Sequence, residues 1–270
     1  MPELPEVETI VRGLTTELGG RKIARVTYVS DHLLRLEPRL TEIGGDTLES
    51  FSRRGKYIIT SLKSDRKLLI HLRMTGCLVI KSKWERRGKH DHLAITFANW
   101  DRKLVFRDLR KFGVVQFYQE GNGCGLDSLG PEATQITARE LHLRFRKSNR
   151  PVKLFLLDQT KIAGLGNIYV DESLHRARIH PLQNTAKITL PTTARLVRAM
   201  RHILREAIKH LGTTFDSYRG ANGNPGEYRR YLRVYHNTGN KCRSCGGVIE
   251  KIKLGGRGTH FCPTCQKLST

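Results

Sequence analysis

The stretch Met1-Pro-Glu-Leu-Pro-Glu-Val-Glu-Thr-Ile10, followed on to Leu18-Gly-Gly20, sets one amphipathic helix at the head of a 270-residue chain. Pro5 suits the first helical turn, Glu6 and Glu8 favour its positive end, and Val7, Ile10, Val11, Leu14 and Leu18 form an apolar stripe that stops at the two glycines. Beyond them short β-rich runs follow one another: Ile23 to Val29, Thr47 to Phe51, Tyr57 to Leu62, Lys67 to Leu72, Cys77 to Ile80, Leu93 to Ala98, Lys103 to Arg107 and Val114 to Tyr118. Turn signals such as Lys63-Ser-Asp-Arg66 and Asn99-Trp-Asp101 separate them, which predicts an antiparallel β-sandwich with a flanking helix. Around Leu129-Gly-Pro-Glu-Ala133 the pattern becomes helical. Residues 193 to 211 put Leu196, Val197, Met200, Ile203, Leu204, Ala207, Ile208 and Leu211 on one face, with Gly212 as the expected C-cap. The fold class is therefore α+β, with a domain boundary expected near residues 120 to 136.

Composition restricts the partner. Lys and Arg number 48 against 25 acidic residues, a formal charge of +23. Such a chain repels itself until phosphates displace counterions, so a polyanion is expected. Charge alone leaves DNA, ribosomal RNA and an anionic membrane surface open. No apolar run approaches the roughly 18 residues of a membrane span, and no charged-then-apolar leader precedes Pro2, so a cytoplasmic protein is expected.

Four cysteines, Cys242-x2-Cys245-x16-Cys262-x2-Cys265, have the spacing of a closed, structural zinc site. Two disulfides are the alternative; paired knuckles in a chain with no sign of export fit one Zn2+ better. Between the knuckles, Val248 to Lys253 and Thr259 to Phe261 read as a hairpin joined by Leu254-Gly-Gly-Arg-Gly258, with Arg257 at its tip. Cys77 and Cys124 lack partners at metal spacing and read as ordinary thiols. Gly164-Leu-Gly-Asn167 leads into a helix and could bind phosphate through backbone N–H groups and the Asn167 amide, although on these residues alone a plain helix-entry turn is the prior reading. His90-Asp91-His92 offers only two ligands on one strand face, so a structural or phosphate-proximal role is expected for His90 rather than a metal.

The N-terminus also carries chemistry. Once Met1 is removed, Pro2 presents a secondary amine whose pKa, about 7.7 to 8.0 for a free α-amino group, leaves more of it neutral than a lysine near 10.4. Attack on a sugar C1′ gives an iminium with a fixed positive charge. Glu3 and Glu6 are then available for proton transfer.

Those first residues, with Arg53-Arg54-Gly55-Lys56-Tyr57, His71-Leu72-Arg73-Met74-Thr75-Gly76, Lys89-His90-Asp91-His92, Arg110-Lys111-Phe112-Gly113, Gly164-Leu165-Gly166-Asn167-Ile168-Tyr169 and the cysteine-rich end, resemble the bacterial formamidopyrimidine-DNA (8-oxoguanine DNA) glycosylases along the whole chain. The resemblance implies a catalytic domain over 1–130, a helix-two-turn-helix domain over 131–234 and a zinc-binding hairpin over 235–270. It implies a bifunctional glycosylase and abasic-site lyase for oxidised purines in duplex DNA, acting in base excision repair as a monomer, nucleoid-associated when acting. Pro2 is the implied nucleophile, Glu3 and Glu6 its proton-transfer partners, and Lys56 a resident of the catalytic pocket. Met74, Arg110 and Phe112 fill the gap left by an everted nucleotide. His71, Lys153, Asn167, Tyr235 and Arg257 match DNA-contacting positions, and a lesion-capping loop falls within Tyr218 to Tyr228. Two rivals stand beside this reading: the same chemistry directed at oxidised pyrimidines, and a non-enzymatic zinc-hairpin protein that binds nucleic acid.

Overall fold

Helix α1 (Leu4–Leu18) forms where the apolar stripe predicts it: Val7, Ile10, Val11, Leu14 and Leu18 are all buried, each contributing about 1.5 to 3 kcal/mol as area removed from water. It stops at Gly19, where a Cβ would lie 2.7 Å from the Thr15 carbonyl oxygen, and Gly20 follows at φ +79°. In the computed structural model the described residues are 1–118, 125–215, 220 and 223–268; Cys124 and four residues of the Tyr218–Tyr228 stretch lie outside them.

Eight strands follow: β1 (Ile23–Val29), β2 (Leu48–Arg54), β3 (Tyr57–Leu62), β4 (Lys67–His71), β5 (Gly76–Ser82), β6 (Asp91–Phe97), β7 (Arg102–Asp108) and β8 (Val114–Tyr118). They form two four-stranded antiparallel sheets, ordered β1-β6-β7-β5 and β2-β3-β4-β8. β3 alternates half-buried and buried residues, as a strand with one covered face should, whereas every residue of β6 is buried. Ile23, Ile58, Leu78 and Phe106 join the α1 stripe in a shared core. A short helix α2 (Asp31–Leu36) and a 3₁₀ turn (Pro38–Ile43) fill the gap between β1 and β2, which the sequence reading left without structure. Six residues bury too few periodic positions to announce a helix.

Contacts divide the chain into two units, Met1–Asp127 with His210–Glu227, and Ser128–Lys209 with Tyr228–Thr270. The segment 210–227 falls inside the range expected for the helical domain but packs with the first unit. The second unit holds α3 (Ala138–Arg146), α4 (Val152–Leu157), α5 (Asn167–Arg176) and α6 (Leu190–Lys209), then the hairpin β9 (Glu250–Leu254) and β10 (Arg257–Phe261). α6 buries Leu196, Val197, Met200, Ile203, Leu204 and Ala207 at helical spacing. It ends two residues before Leu211, which the periodicity had placed on the apolar face: Leu211 is exposed and left-handed at φ +60°.

Candidate active site, nucleic-acid interface and metal centre

Pro2, Glu3 and Glu6 are buried together at the start of α1, the two carboxylates each only 2% exposed. Glu6 Oε2 accepts the Glu3 backbone N–H at 2.8 Å, the return half of a capping box. Its Oε1 accepts the Thr213 N–H at 2.7 Å, from a segment 207 residues away. Gly212, read from sequence as a helix cap, serves this approach instead: it sits at φ +80°, and a Cβ there would lie 2.7 Å from Glu6 Oε1. Gly226 backs the same turn, with room for no Cβ against the Gly212 carbonyl oxygen at 2.3 Å. Sequence reasoning missed Gly212, Thr213 and Gly226 in these roles because no local pattern signals so distant a partner.

Lys56 lies in the two-residue turn between β2 and β3, after Gly55 at φ +55°, and is buried. Lys56 and Arg73 add to burial in holding His71 far down, at about 3, so its ring is neutral. Since Nδ1 accepts the Arg73 N–H at 2.9 Å, the ring proton sits on Nε2. The Tyr57 ring meets His71 edge-on at 4.5 Å. Any phosphate contact by His71 is thus a neutral hydrogen bond, not an ion pair.

Met74, Arg110 and Phe112, scattered in sequence, come together on the β4–β5 and β7–β8 loops. The Arg110 guanidinium reaches Met74 Sδ at 3.1 Å and lies 4.8 Å from the centre of the Phe112 ring. Met74 and Phe112 are 44% and 52% exposed, an apolar investment in solvent that a folded chain makes for a partner. Asp108, which sequence reasoning missed, fastens both loops. Its fully buried carboxylate accepts the Thr75 hydroxyl, the Arg110 N–H at 3.1 Å and the Gly113 N–H at 2.7 Å. Gly113 is required there, since a Cβ would stand 2.4 Å from Phe106 Cζ. The His90 carbonyl accepts the Asp108 N–H at 3.0 Å, and His92 Nε2 meets the Asp108 carbonyl at 2.8 Å. The His90-Asp91-His92 run therefore braces this loop, and Asp91 is spent on Arg107 and Lys81 at 2.8 and 3.3 Å.

In the second unit, α5 anchors the hairpin. Lys153, expected at a DNA-contacting position, is fully buried: its Nζ meets Asp171 Oδ1 at 2.6 Å and the Gly258 carbonyl at 3.1 Å, so here it positions the hairpin instead of presenting charge. Asn167 Nδ2 donates to the same carbonyl at 2.9 Å, and Asp171 Oδ2 accepts the His260 N–H at 2.8 Å. Gly255 and Gly256, at φ +56° and +75°, alone make the turn, so Arg257 is the first residue of β10 and is exposed. The Tyr235 ring packs edge-on to His260 at 4.8 Å, while the Tyr235 backbone N–H donates to Glu172.

The sulfurs of Cys242, Cys245, Cys262 and Cys265 all lie within 4.8 Å of one another, with Cys242–Cys265 at 3.9 Å and Cys245–Cys262 at 3.4 Å. Tetrahedral zinc with Zn–S near 2.3 Å needs sulfurs about 3.8 Å apart, and a disulfide about 2.05 Å. The donor set fits one structural Zn2+. The Gly247 N–H and the neighbouring thiols hold Cys245 down at about 7, while burial pushes Cys262 and Cys265 up, a cost that a divalent cation offsets. His175 Nε2 reaches Cys242 Sγ at 3.5 Å, and buried Gln266 ties the second knuckle to the Ile179 carbonyl at 2.8 Å.

Family models match the chain in three consecutive blocks: the formamidopyrimidine-DNA glycosylase N-terminal domain over residues 1–115, its H2TH domain over 128–218, and the zinc finger found in FPG and IleRS over 239–268. The chain belongs to the formamidopyrimidine-DNA glycosylase family. It is 41% identical over 275 residues to the formamidopyrimidine-DNA glycosylase of Lactococcus lactis subsp. cremoris, covering 99% of this chain and 100% of that one. The Pelotomaculum thermopropionicum relative is 40% identical, with the same coverage. Among solved structures, the Lactococcus lactis glycosylase in complex with abasic-site DNA aligns with a TM-score of 0.91 at 39% identity, over 98% of this chain and all of that one. A complex of the same glycosylase with N7-benzyl-Fapy-dG DNA aligns equally well, again at 0.91 and 39%. The α+β architecture and the four-cysteine hairpin of this chain are those of the glycosylase family.

Proposed function

We propose that this chain excises oxidised purines from damaged duplex DNA and then nicks the abasic strand, with Pro2 as nucleophile. The observation that carries the reading is the burial of two carboxylates, Glu3 and Glu6, against residue 2 at the start of α1, in a chain of this family whose Met74, Arg110 and Phe112 form one exposed cluster. Met1 is 49% exposed, open to removal. The freed Pro2 nitrogen attacks C1′; the C1′–N bond to the damaged base breaks, and the base leaves with that electron pair and a proton. Glu3 takes the amine proton and returns it to O4′ as the C1′–O4′ bond breaks; O4′ leaves with that electron pair, the sugar ring opens, and the nitrogen lone pair completes the C1′ iminium. Glu6, with both oxygens held by backbone N–H groups, fixes the geometry of this corner. The iminium acidifies C2′; loss of that proton sends its electron pair toward C3′ and expels the 3′ phosphate, and a second elimination expels the 5′ phosphate. Lys56 contributes positive charge in the pocket, and Arg110 faces the orphaned base. Asn167, Tyr235 and Arg257 engage the backbone, with His71 as a neutral contact and His90 as a further one. Zinc, bound by the four thiolates, supplies fold to the hairpin.

We place the protein as a monomer in the cytoplasm, on the nucleoid where its duplex substrate lies; no described helix is long and apolar enough to cross a membrane. Borohydride added during reaction with an oxidised-purine duplex is expected to trap a protein–DNA adduct that peptide mapping assigns to residue 2. Glu3→Gln retains duplex binding while base excision falls by roughly a hundredfold or more, the scale of a lost general acid–base group. Trapping at a lysine removes Pro2 from the role.

A further inference from the structure

At the C-terminal end of α5 the second unit carries an open cavity of about 570 Å³. Its wall carries four guanidiniums: Arg176 in the last turn of α5, Arg178 just beyond it, Arg233, and Arg243 between the first two cysteines. All four residues are exposed, and none of these guanidiniums has an ion pair or hydrogen bond among the described residues. The Glu172 carboxylate on the same wall is already spent on the backbone N–H groups of Arg233, Val234 and Tyr235, which leaves Glu206 as the one further acid lining it. Burial and the charge of Arg176 hold His202, also on the wall, below its usual range, which disfavours a further positive charge there.

Arg178 shows that the charge is bought with strain. The end of α5 is a Schellman turn, Ile179 N–H to the Leu174 carbonyl and Arg178 N–H to that of His175, both at 3.0 Å. Arg178 occupies its left-handed position at φ +53°, where glycine is the unstrained residue and an L side chain is strained. Asn167 and its partner Gly258 lie at the other end of this ten-residue helix, about 15 Å away at 1.5 Å per residue. The cavity is thus a second cationic feature, apart from the phosphate-facing turn.

We propose that this cavity binds a compact polyphosphate, either a nucleoside triphosphate or an inorganic phosphate chain. Four guanidinium forks on one wall match phosphoryl oxygens, and the volume lies in the range of small-ligand sites, roughly 300 to 1,000 Å³. No β-strand contributes to the wall, so an extended acidic peptide finds no edge to pair with. Ile203 and Tyr231 offer an apolar side for a base, which an inorganic chain lacks.

The inference is independent of the catalytic reading, and its test uses no turnover. Full-length, zinc-loaded protein is titrated calorimetrically with magnesium ATP and with inorganic triphosphate at constant ionic strength, zinc content being measured before and after because polyphosphates chelate. One saturable site per chain is expected. Arg178→Gly, which relieves the left-handed strain, keeps or raises the melting temperature while weakening binding roughly tenfold, the loss of one charge-assisted contact. Arg243→Ala weakens it similarly, and Arg257→Ala leaves it unchanged. Tighter binding of ATP assigns the nucleotide; equal binding assigns the inorganic chain. The proposal is overturned if no saturable binding appears, if Arg178→Gly and Arg243→Ala bind as wild type, if sulfate binds as tightly, or if an oligoglutamate peptide or undamaged duplex displaces the ligand with the same arginine dependence.

Discussion

His71 illustrates how burial, not residue type, decides chemistry. A free histidine titrates near 6.5, but here the charged form is excluded down to about 3 by burial and by the charges of Arg73 and Lys56. The unfolded chain therefore binds a proton that the native chain does not between those values, so stability is full above about 6.5 and is lost as pH falls toward 3, by at most about 1.4 kcal/mol per pH unit. His71→Gln removes that proton and flattens the acid limb; urea unfolding at a series of pH values in wild type and variant measures the two slopes, and equal slopes would show that His71 is not excluded from protonation. Glu6 makes the complementary point. Its place beside Pro2 was legible in the first ten residues as part of a helix start, yet its second acceptor role, toward Thr213, was not, because that partner is set by a chain reversal rather than by spacing.

At the scale of elements, all eight strands of the sandwich were legible, since β-rich runs bounded by turn residues are a local signal; three of them, β1, β3 and β8, have the predicted ends. The loops between them were not legible as a unit. Asp108 clasps the β4–β5 and β7–β8 loops through Thr75, Arg110 and Gly113, and only the pairing of β5 with β7 brings those residues together. Asp108→Asn keeps the size but turns one acceptor into an N–H₂ that must face either the Thr75 and Arg110 donors or the Gly113 N–H. We expect a loss of roughly 2 to 3 kcal/mol in stability, the cost of unsatisfying a buried charged hydrogen bond. Excision opposite cytosine, which the proposed donation from Arg110 to the orphan base's pairing edge would favour, is expected to lose its margin over excision opposite adenine, while affinity for undamaged duplex stays nearly constant. Single-turnover excision from duplexes differing only in the opposite base checks this; an unchanged ratio would detach Asp108 from the working of the cluster it clasps.

For the whole molecule, a charge of +23 makes salt the governing variable of DNA binding. Arg257 is exposed at the start of β10, and its removal by Arg257→Ala is expected to weaken binding to every duplex alike and to lower the slope of log K against log salt by about 0.9, one phosphate contact. Fluorescence anisotropy over a salt series reads both; an unaltered slope would place Arg257 off the backbone. The polyanion, the order of helix, strands, helices and hairpin, and the four-thiolate zinc site were determined by the sequence alone, because charge sums, apolar periods and short cysteine spacings are properties of neighbours along the chain. Tertiary structure alone decided that Gly212 and Thr213 close on Glu6, that Lys153 is buried against Asp171, that Asp108 gathers the Met74, Arg110 and Phe112 loops, and that four arginines share one cavity. Each of those facts depends on residues far apart in sequence meeting in space, and hydrogen bonds and close packing, which act only at contact, leave no periodic trace in the chain that makes them.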